Sequence, residues 1–191
     1  MRTIACVLLC ACLFTISGTS RAADPRSDLT ADIHIKTPFA GNIDGKIYVK
    51  NDHLRVDAGE VMVFDVVRGN GWAFFPETTR YWDIEWNDVS TFLPHRTNGS
   101  PCAYSDNPSS CKADGKEKIE GRSATKWELV NKAGRQVYLW SDDETGIALR
   151  WQIETVTYAV DNIKSATLPD SLFELPPDYS HVAKPFPAAQ H

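Results

Sequence analysis

The chain has 191 residues and a net charge of −5 at neutral pH, with 20 Lys and Arg against 25 Asp and Glu. That acidic balance excludes the basic footprint of a nucleic-acid binder and argues against adhesion to anionic lipid surfaces. The length suits one domain with a real core.

Met1-Arg2, an apolar run from Ile4 to Ile16 and the exit Ser20-Arg21-Ala22 have the layout of a secretory signal peptide over residues 1–22. Cleavage is expected after Ala22, and the run is too short to span a bilayer comfortably. No second apolar segment follows, so the mature chain is expected to carry no transmembrane segment and to work outside the cytoplasm. Losing Arg2 and Arg21 with the leader takes the net charge to −7 over 169 residues. Leu9-Cys10-Ala11-Cys12 loosely resembles a lipoprotein cleavage box, but Cys10 stands where a small residue belongs and the run before Cys12 is very short. Cys6, Cys10 and Cys12 leave with the leader. Cys102 and Cys111 remain, and an even pair in an oxidising compartment reads as one disulfide. Closing so short a loop is worth ~2.7 kcal/mol in the chain-entropy picture. The competing reading, a metal or redox pair, lacks a C-x-x-C spacing and a nearby His.

Along the mature chain the pattern is strand, turn, strand. Leu29, Ala31, Ile33 and Ile35 alternate with Thr30, Asp32, His34 and Lys36, the period of a half-buried strand. Residues 46–50 continue with Ile47 and Val49 on one face. Asn51-Asp52 predicts a tight turn, and Leu54 and Val56 return with His53, Arg55 and Asp57 outward. Residues 61–67 are nearly all apolar and read as a strand covered on both faces. Residues 68–71 turn the chain, residues 72–75 return, and residues 81–86 set Trp82, Ile84 and Trp86 on one side. Residues 87–93 predict a short helix capped by Asn87 or Asp88. Residues 94–117 read as a long excursion pinned by the disulfide. Strands resume at residues 124–130, 136–140, 148–155 and 156–163. A Pro-rich tail over residues 180–191 is expected to fray. About nine strands at hairpin spacing argue for a curved antiparallel sheet.

No nucleophile elbow, phosphate loop, H-E-x-x-H helix or paired-Cys zinc spacing is present. His34 and His53 fall on polar strand faces and could be neighbours across strands, but paired exposed His are more simply surface. Asp142-Asp143-Glu144 could suggest acid–base or calcium chemistry; before Thr145-Gly146 it reads more simply as a solvated hairpin tip. Asn98-Gly99-Ser100 matches the glycosylation sequon, which matters only in a eukaryotic secretory pathway. The aromatics are the remaining signal. Trp72, Trp82, Trp86, Trp127, Trp140 and Trp151 sit mostly at strand positions. They read either as core packing or as the lining of an apolar groove for a greasy ligand.

Several segments together resemble a bacterial envelope family of unknown function related to the outer-membrane lipoprotein carriers LolA and LolB. They are Leu29-Thr30-Ala31-Asp32-Ile33; the strand pair Gly45-Lys46-Ile47-Tyr48-Val49-Lys50-Asn51-Asp52-His53-Leu54-Arg55-Val56; Phe75-Pro76-Glu77-Thr78-Thr79-Arg80-Tyr81-Trp82; Gly121-Arg122-Ser123-Ala124-Thr125-Lys126-Trp127-Glu128-Leu129; Asp161-Asn162-Ile163; and Leu168-Pro169-Asp170-Ser171-Leu172-Phe173-Glu174-Leu175-Pro176 with Tyr179 after it. The resemblance covers nearly all of residues 29–179. It implies one domain over residues 23–179: a mainly β half-barrel, a single curved antiparallel sheet with one or two short helices, in the periplasm. Its concave face would hold lipid. Helices plug the concavity of the carriers; this chain departs there, since only residues 87–93 look helical, short of a full plug and lid, and the resemblance supplies no catalytic residues.

Two readings follow. The first is a non-catalytic periplasmic binding protein, free of cofactor and metal, for a lipid or acyl-chain ligand lined by Val63, Phe74, Trp82, Trp127, Leu139 and Trp151. The second is an envelope structural or interaction protein with a packed sheet, whose protein partner binds an edge strand or the disulfide loop.

Overall fold

The computed structural model describes residues 28–85, 100–104, 110–130 and 134–184. The leader 1–22, Trp86, the expected helix at 87–93, Asn98 of the sequon and residues 185–191 lie outside the described residues.

Twelve strands form one open sheet. They are β1 (Leu29–Thr37), β2 (Gly41–Lys50), β3 (His53–Ala58), β4 (Glu60–Asp65), β5 (Asn70–Phe74), β6 (Arg80–Glu85), β7 (Lys112–Ile119), β8 (Arg122–Val130), β9 (Gln136–Asp142), β10 (Ala148–Ile153), β11 (Val156–Ser165) and β12 (Ser180–His181). The spatial order is β12-β6-β5-β4-β3-β2-β1-β11-β10-β9-β8-β7. Two meanders, β1 to β6 and β7 to β11, each grow by hairpins between neighbours in sequence. They meet where β1 pairs with β11, with Ile33 opposite Val160. The sheet ends at β7 and β12 and does not close into a barrel. Short 3-10 turns at Pro101–Tyr104 and Asp170–Phe173 are the helical elements among the described residues.

The turns follow local chemistry. Asn51, between β2 and β3, takes a left-handed φ of 50°, which Asn tolerates. The β7–β8 hairpin turns on Glu120 and Gly121, both with positive φ, matching the twist of the flanking strands.

Side chains alternate across the sheet, so each face is a set of cross-strand rows. The inner face carries the largest buried cluster, which reaches from Trp82 and Ile84 on β6 to Leu129 on β8. The outer face carries two smaller clusters. One gathers Val61, Val63 and Phe74 beneath Leu168 and Phe173. The other gathers Ile119, Ala124, Trp140 and Leu149. Residues 61–65 are thus covered on both sides, as the apolar run implies. The strand itself stops at Asp65, because the Asp65 side chain accepts from the backbone N–H groups of Val67 and Arg68 and starts the turn.

The 166–184 segment straps the outer face of the first meander. The Ala166 N–H donates to the Asp28 carbonyl at 2.9 Å, and the Arg55 guanidinium donates to the Leu172 carbonyl at 2.9 Å. Phe173 and Tyr179 pack against His53 and Phe74. The strap ends as β12, which pairs in parallel with β6 at Arg80 and Tyr81. This corrects the sequence expectation of a tail fraying from residue 180: backbone pairing holds Ser180 and His181. The long excursion is corrected too, since residues 112–117 belong to β7. Every β7 side chain but Ile119 is exposed, so the strand has no apolar alternation to betray it. Two of its three lysines are paired instead, Lys112 with Glu128 at 2.9 Å and Lys116 with Asp143 at 2.8 Å, and a lysine-rich edge resists sheet-to-sheet association.

Gly71 lies opposite Phe64 on the inner face. A Cβ there would stand 2.1 Å from the Val63 carbonyl oxygen and 2.8 Å from Phe64 Cδ2, so only glycine lets β5 approach β4 this closely. Gly71→Val should cost at least about 1–3 kcal/mol, the usual range for overpacking. Urea denaturation checks this, and an unchanged midpoint would refute the close-approach argument.

Candidate functional site

The inner face is the candidate site. One row crosses six strands: Trp127 lies opposite Leu139, Leu139 opposite Trp151, Trp151 opposite Tyr158, Tyr158 opposite Ile35 and Ile35 opposite Ile43. The Trp151 and Tyr158 rings stack at 4.4 Å, 7° from parallel. The matching row in the first meander runs Ala31, Ile47, Val56, Met62, Ala73 and Trp82, and Trp82 packs against Phe75 with centroids 5.5 Å apart. The disulfide joins Cys102 to Cys111, and Cys111 packs against this same cluster.

Polar handles are few on this surface. The Trp127 indole donates to Ser141 Oγ at 3.0 Å. Burial pushes the Tyr158 phenol up to about 12, so it stays protonated across the physiological range. The Trp151 Nε1–H is buried and has no partner among the described residues. Glu60, at the start of β4 on the same face, is held above the ordinary carboxylate range by burial.

The six residues expected to line one site are divided by the fold. Trp82, Trp127, Leu139 and Trp151 lie on the inner face. Val63 and Phe74 lie on the outer face beneath the strap. Alternation along residues 61–65 does not say which side is inner when both sides are apolar, which is why the sequence could not place Val63. Tyr158 is the inner-face residue the expectation lacked; its place opposite Trp151 depends on the β10–β11 register.

The acidic turn differs from a solvated tip. The Asp142 side chain is only 1% exposed. It accepts from Arg122 Nε at 3.0 Å and Nη2 at 2.7 Å, and from Thr145 Oγ1 at 2.6 Å. Asp143 accepts from Lys116, Ser123 and Thr125 and is held at about 2 by those bonds, that of Lys116 first. Every donor these carboxylates need comes from β7, β8 and the turn itself, so the group is a clamp on the end of the second meander. Sequence reading missed it because Arg122 and Asp142 meet only through the β8–β9 register. His34 and His53, for their part, lie on β1 and β3 with separate carboxylate partners, Asp44 and Asp65. Among the described residues no three His, Cys, Asp or Glu side chains are gathered to hold a metal ion, and no helix is long and apolar enough to cross a membrane.

The fold and site define an open twelve-stranded sheet protein with one extended apolar face, and this arrangement has solved counterparts. An uncharacterized conserved protein from Thermus thermophilus is similar over 83% of this chain and 91% of its own, with a TM-score of 0.56 and 11% identity. PNGF-II is similar over 83% of this chain, with a TM-score of 0.51 and 10% identity, but the match spans only 32% of the PNGF-II chain. The LolA superfamily protein NE2245 from Nitrosomonas europaea matches over 80% of this chain and 92% of its own at a TM-score of 0.39 and 12% identity, too weak a likeness to bear on family or function. The two stronger matches are likenesses of fold. No protein-family model and no curated protein matches the sequence.

Two outcomes follow from the clamp. Arg122→Met leaves the Asp142 charge buried and unpaired, and should cost about 3 kcal/mol in denaturant unfolding; a loss within experimental error would sink the clamp. Asp143, with its folded value below the usual carboxylate one, contributes stability that is complete above about pH 4 and is lost as pH falls through about 2. Asp143→Asn should therefore flatten the stability–pH curve in that window, read by thermal unfolding across it.

Proposed function

We propose that this chain is a non-catalytic binding protein of the cell envelope that holds a hydrophobic or lipid-like ligand against its inner face. The row Trp127–Leu139–Trp151–Tyr158 carries the reading. It is a continuous apolar and aromatic row on one side of an open sheet, buried down to 2% exposure at Trp151, with few polar groups, the composition expected of a site for a greasy molecule. Trp82, Trp127, Leu139 and Trp151 are the proposed lining; Val63 and Phe74 belong to the strap's own packing. The leader-like residues 1–22 and the Cys102–Cys111 disulfide support export into an oxidising compartment, the periplasm in a bacterium with two membranes. No cofactor enters the proposed role.

A second reading has its own support. Ile33, Ile47 and Leu54 on the inner face are already shielded to 1% exposure or less, and the sheet ends in two edges. An envelope interaction protein with a packed sheet would use an edge strand or the disulfide loop to hold a protein partner.

A brominated fatty acid separates the two. Added to the oxidised chain of residues 23–191, it should quench indole fluorescence saturably, because bromine quenches only at contact, while Trp127→Phe and Trp151→Phe should each remove part of the quenching and leave the fold intact. Absence of saturable quenching, with a clean apo mass in native mass spectrometry of protein taken gently from a periplasm, would overturn the ligand reading in favour of the interaction reading.

A further inference from the structure

We propose that His34 is a pH-sensitive latch across the seam between β1 and β11, closed only while its imidazole ring carries both protons. Among the described residues the seam is the one strand pairing that joins the two meanders. On its outer face His34 stands between two carboxylates on opposite sides. Its Nδ1 lies 2.7 Å from Asp44 Oδ1 on β2, and its Nε2 lies 3.4 Å from Asp161 Oδ2 on β11. A neutral imidazole has one N–H and can donate to only one of them; the other nitrogen would turn a lone pair toward a carboxylate. The imidazolium turns an N–H toward each, donating to Asp44 and pairing by charge with Asp161 at the longer distance, so the arrangement favours that form.

The surroundings sharpen the choice. Among the described residues Asp161 Oδ1 is buried and without a partner, so releasing Oδ2 would leave that carboxylate with no donor from them for either oxygen. Asp161 also lies directly opposite Asp32 in the β1–β11 register, beside the irregularity in that pairing. Asp32 is committed to Lys46 at 2.6 Å and to Asn162 at 2.9 Å. The charged groups facing His34 are therefore Asp44 and Lys46 from β2, Asp161 from β11, and Asp32 and Lys36 along β1. Three carboxylates share this patch, and its cation nearest the seam, Lys46, is already engaged by Asp32.

The sign follows from the partners. Asp44 first, through its hydrogen bond, and Asp161 through its charge raise the folded His34 value above the ordinary 6.5. The latch thus contributes fully below about pH 6.5 and is lost as pH rises through the folded value. The inner aromatic row crosses the same seam where Tyr158 faces Ile35, so a loosened latch acts at the junction of the two halves of the inner face. The proposal stands apart from the identity of any ligand.

The test is an NMR titration of the five-histidine chain, residues 23–191 with the disulfide intact, together with amide exchange corrected for its intrinsic pH dependence. His34 should titrate above 6.5, and Asp44→Asn and Asp161→Asn should each lower its midpoint. Protection along β1 and β11 should fall as pH passes that midpoint, protection along β3 and β4 should not, and His34→Gln should abolish the difference. A wild-type His34 midpoint at or below 6.5 overturns the latch whether or not the variants fold. So does β1–β11 protection that is independent of pH, or that changes equally in His34→Gln.

Discussion

The pairing of β1 with β11 is the constraint on which the rest of this structure depends. Every other antiparallel pairing joins strands adjacent in sequence, and such hairpins can form locally. The seam joins Leu29 to Ser165 and Lys36 to Thr157, nearly the full described length apart, so its closure carries the largest loop entropy in the molecule and should come late in folding. Once formed, it turns two meanders into a single sheet with a continuous apolar face. Asp28 locks the far end of the seam: its backbone carbonyl accepts from Ala166 and its carboxylate from the Leu168 N–H. The strap can cross the outer face only because that exit is fixed.

The strap solves the problem that β4 and β5 create. Val61, Val63 and Phe74 point away from the inner cluster, and left bare they would make an apolar patch on the outside of an open sheet. Leu168, Leu172, Phe173 and Tyr179 cover them. The strap's peptide groups are met by long cations rising from the sheet, Lys50 to the Leu168 carbonyl and Arg55 to the Leu172 carbonyl. A 3-10 turn at Asp170–Phe173 then presents Phe173 downward. Apolar anchors and charge-assisted bonds to backbone together hold a segment that has little regular structure of its own.

How much of this was legible in the sequence depends on whether one face of a strand is wet. Leu29 to Ile35 and Leu54 to Val56 alternate cleanly because one of their faces is polar, and the structure keeps both pattern and side. The 61–65 run shows its burial but not its sidedness, which is why Val63 was grouped with residues of the opposite face. β7 was invisible because an edge strand that is polar on both faces looks like loop. Asp142 looked exposed because its partner Arg122 lies on another strand, and pairing register, not spacing, brings them together. β12 had no signal at all, since two residues held by backbone bonds leave no side-chain pattern. Trp127 and Trp151 were legible as strand aromatics and Leu139 as an apolar strand residue, while their alignment into one row rests on register.

The two faces divide the physical work. Asp32–Lys46, His34–Asp44, Lys50–Asp170, Arg55–Asp57 and Arg122–Asp142 all lie on outer-face positions, most of them linking one strand to its neighbour or to the strap. A one-residue slip anywhere in the sheet would bury these charges on the apolar side, so they fix register even where each pair contributes little stability. The inner face carries the opposite load: Ile33, Ile47, Leu54 and Trp151 supply burial and no charge, and burial is non-directional. Register held from outside frees the inner side chains from specifying the fold. Their size and shape can then be set by whatever they contact, and cores that keep volume and pattern tolerate such exchange. An aromatic row that need not define the sheet is a surface that can be fitted to a ligand without endangering the architecture that displays it.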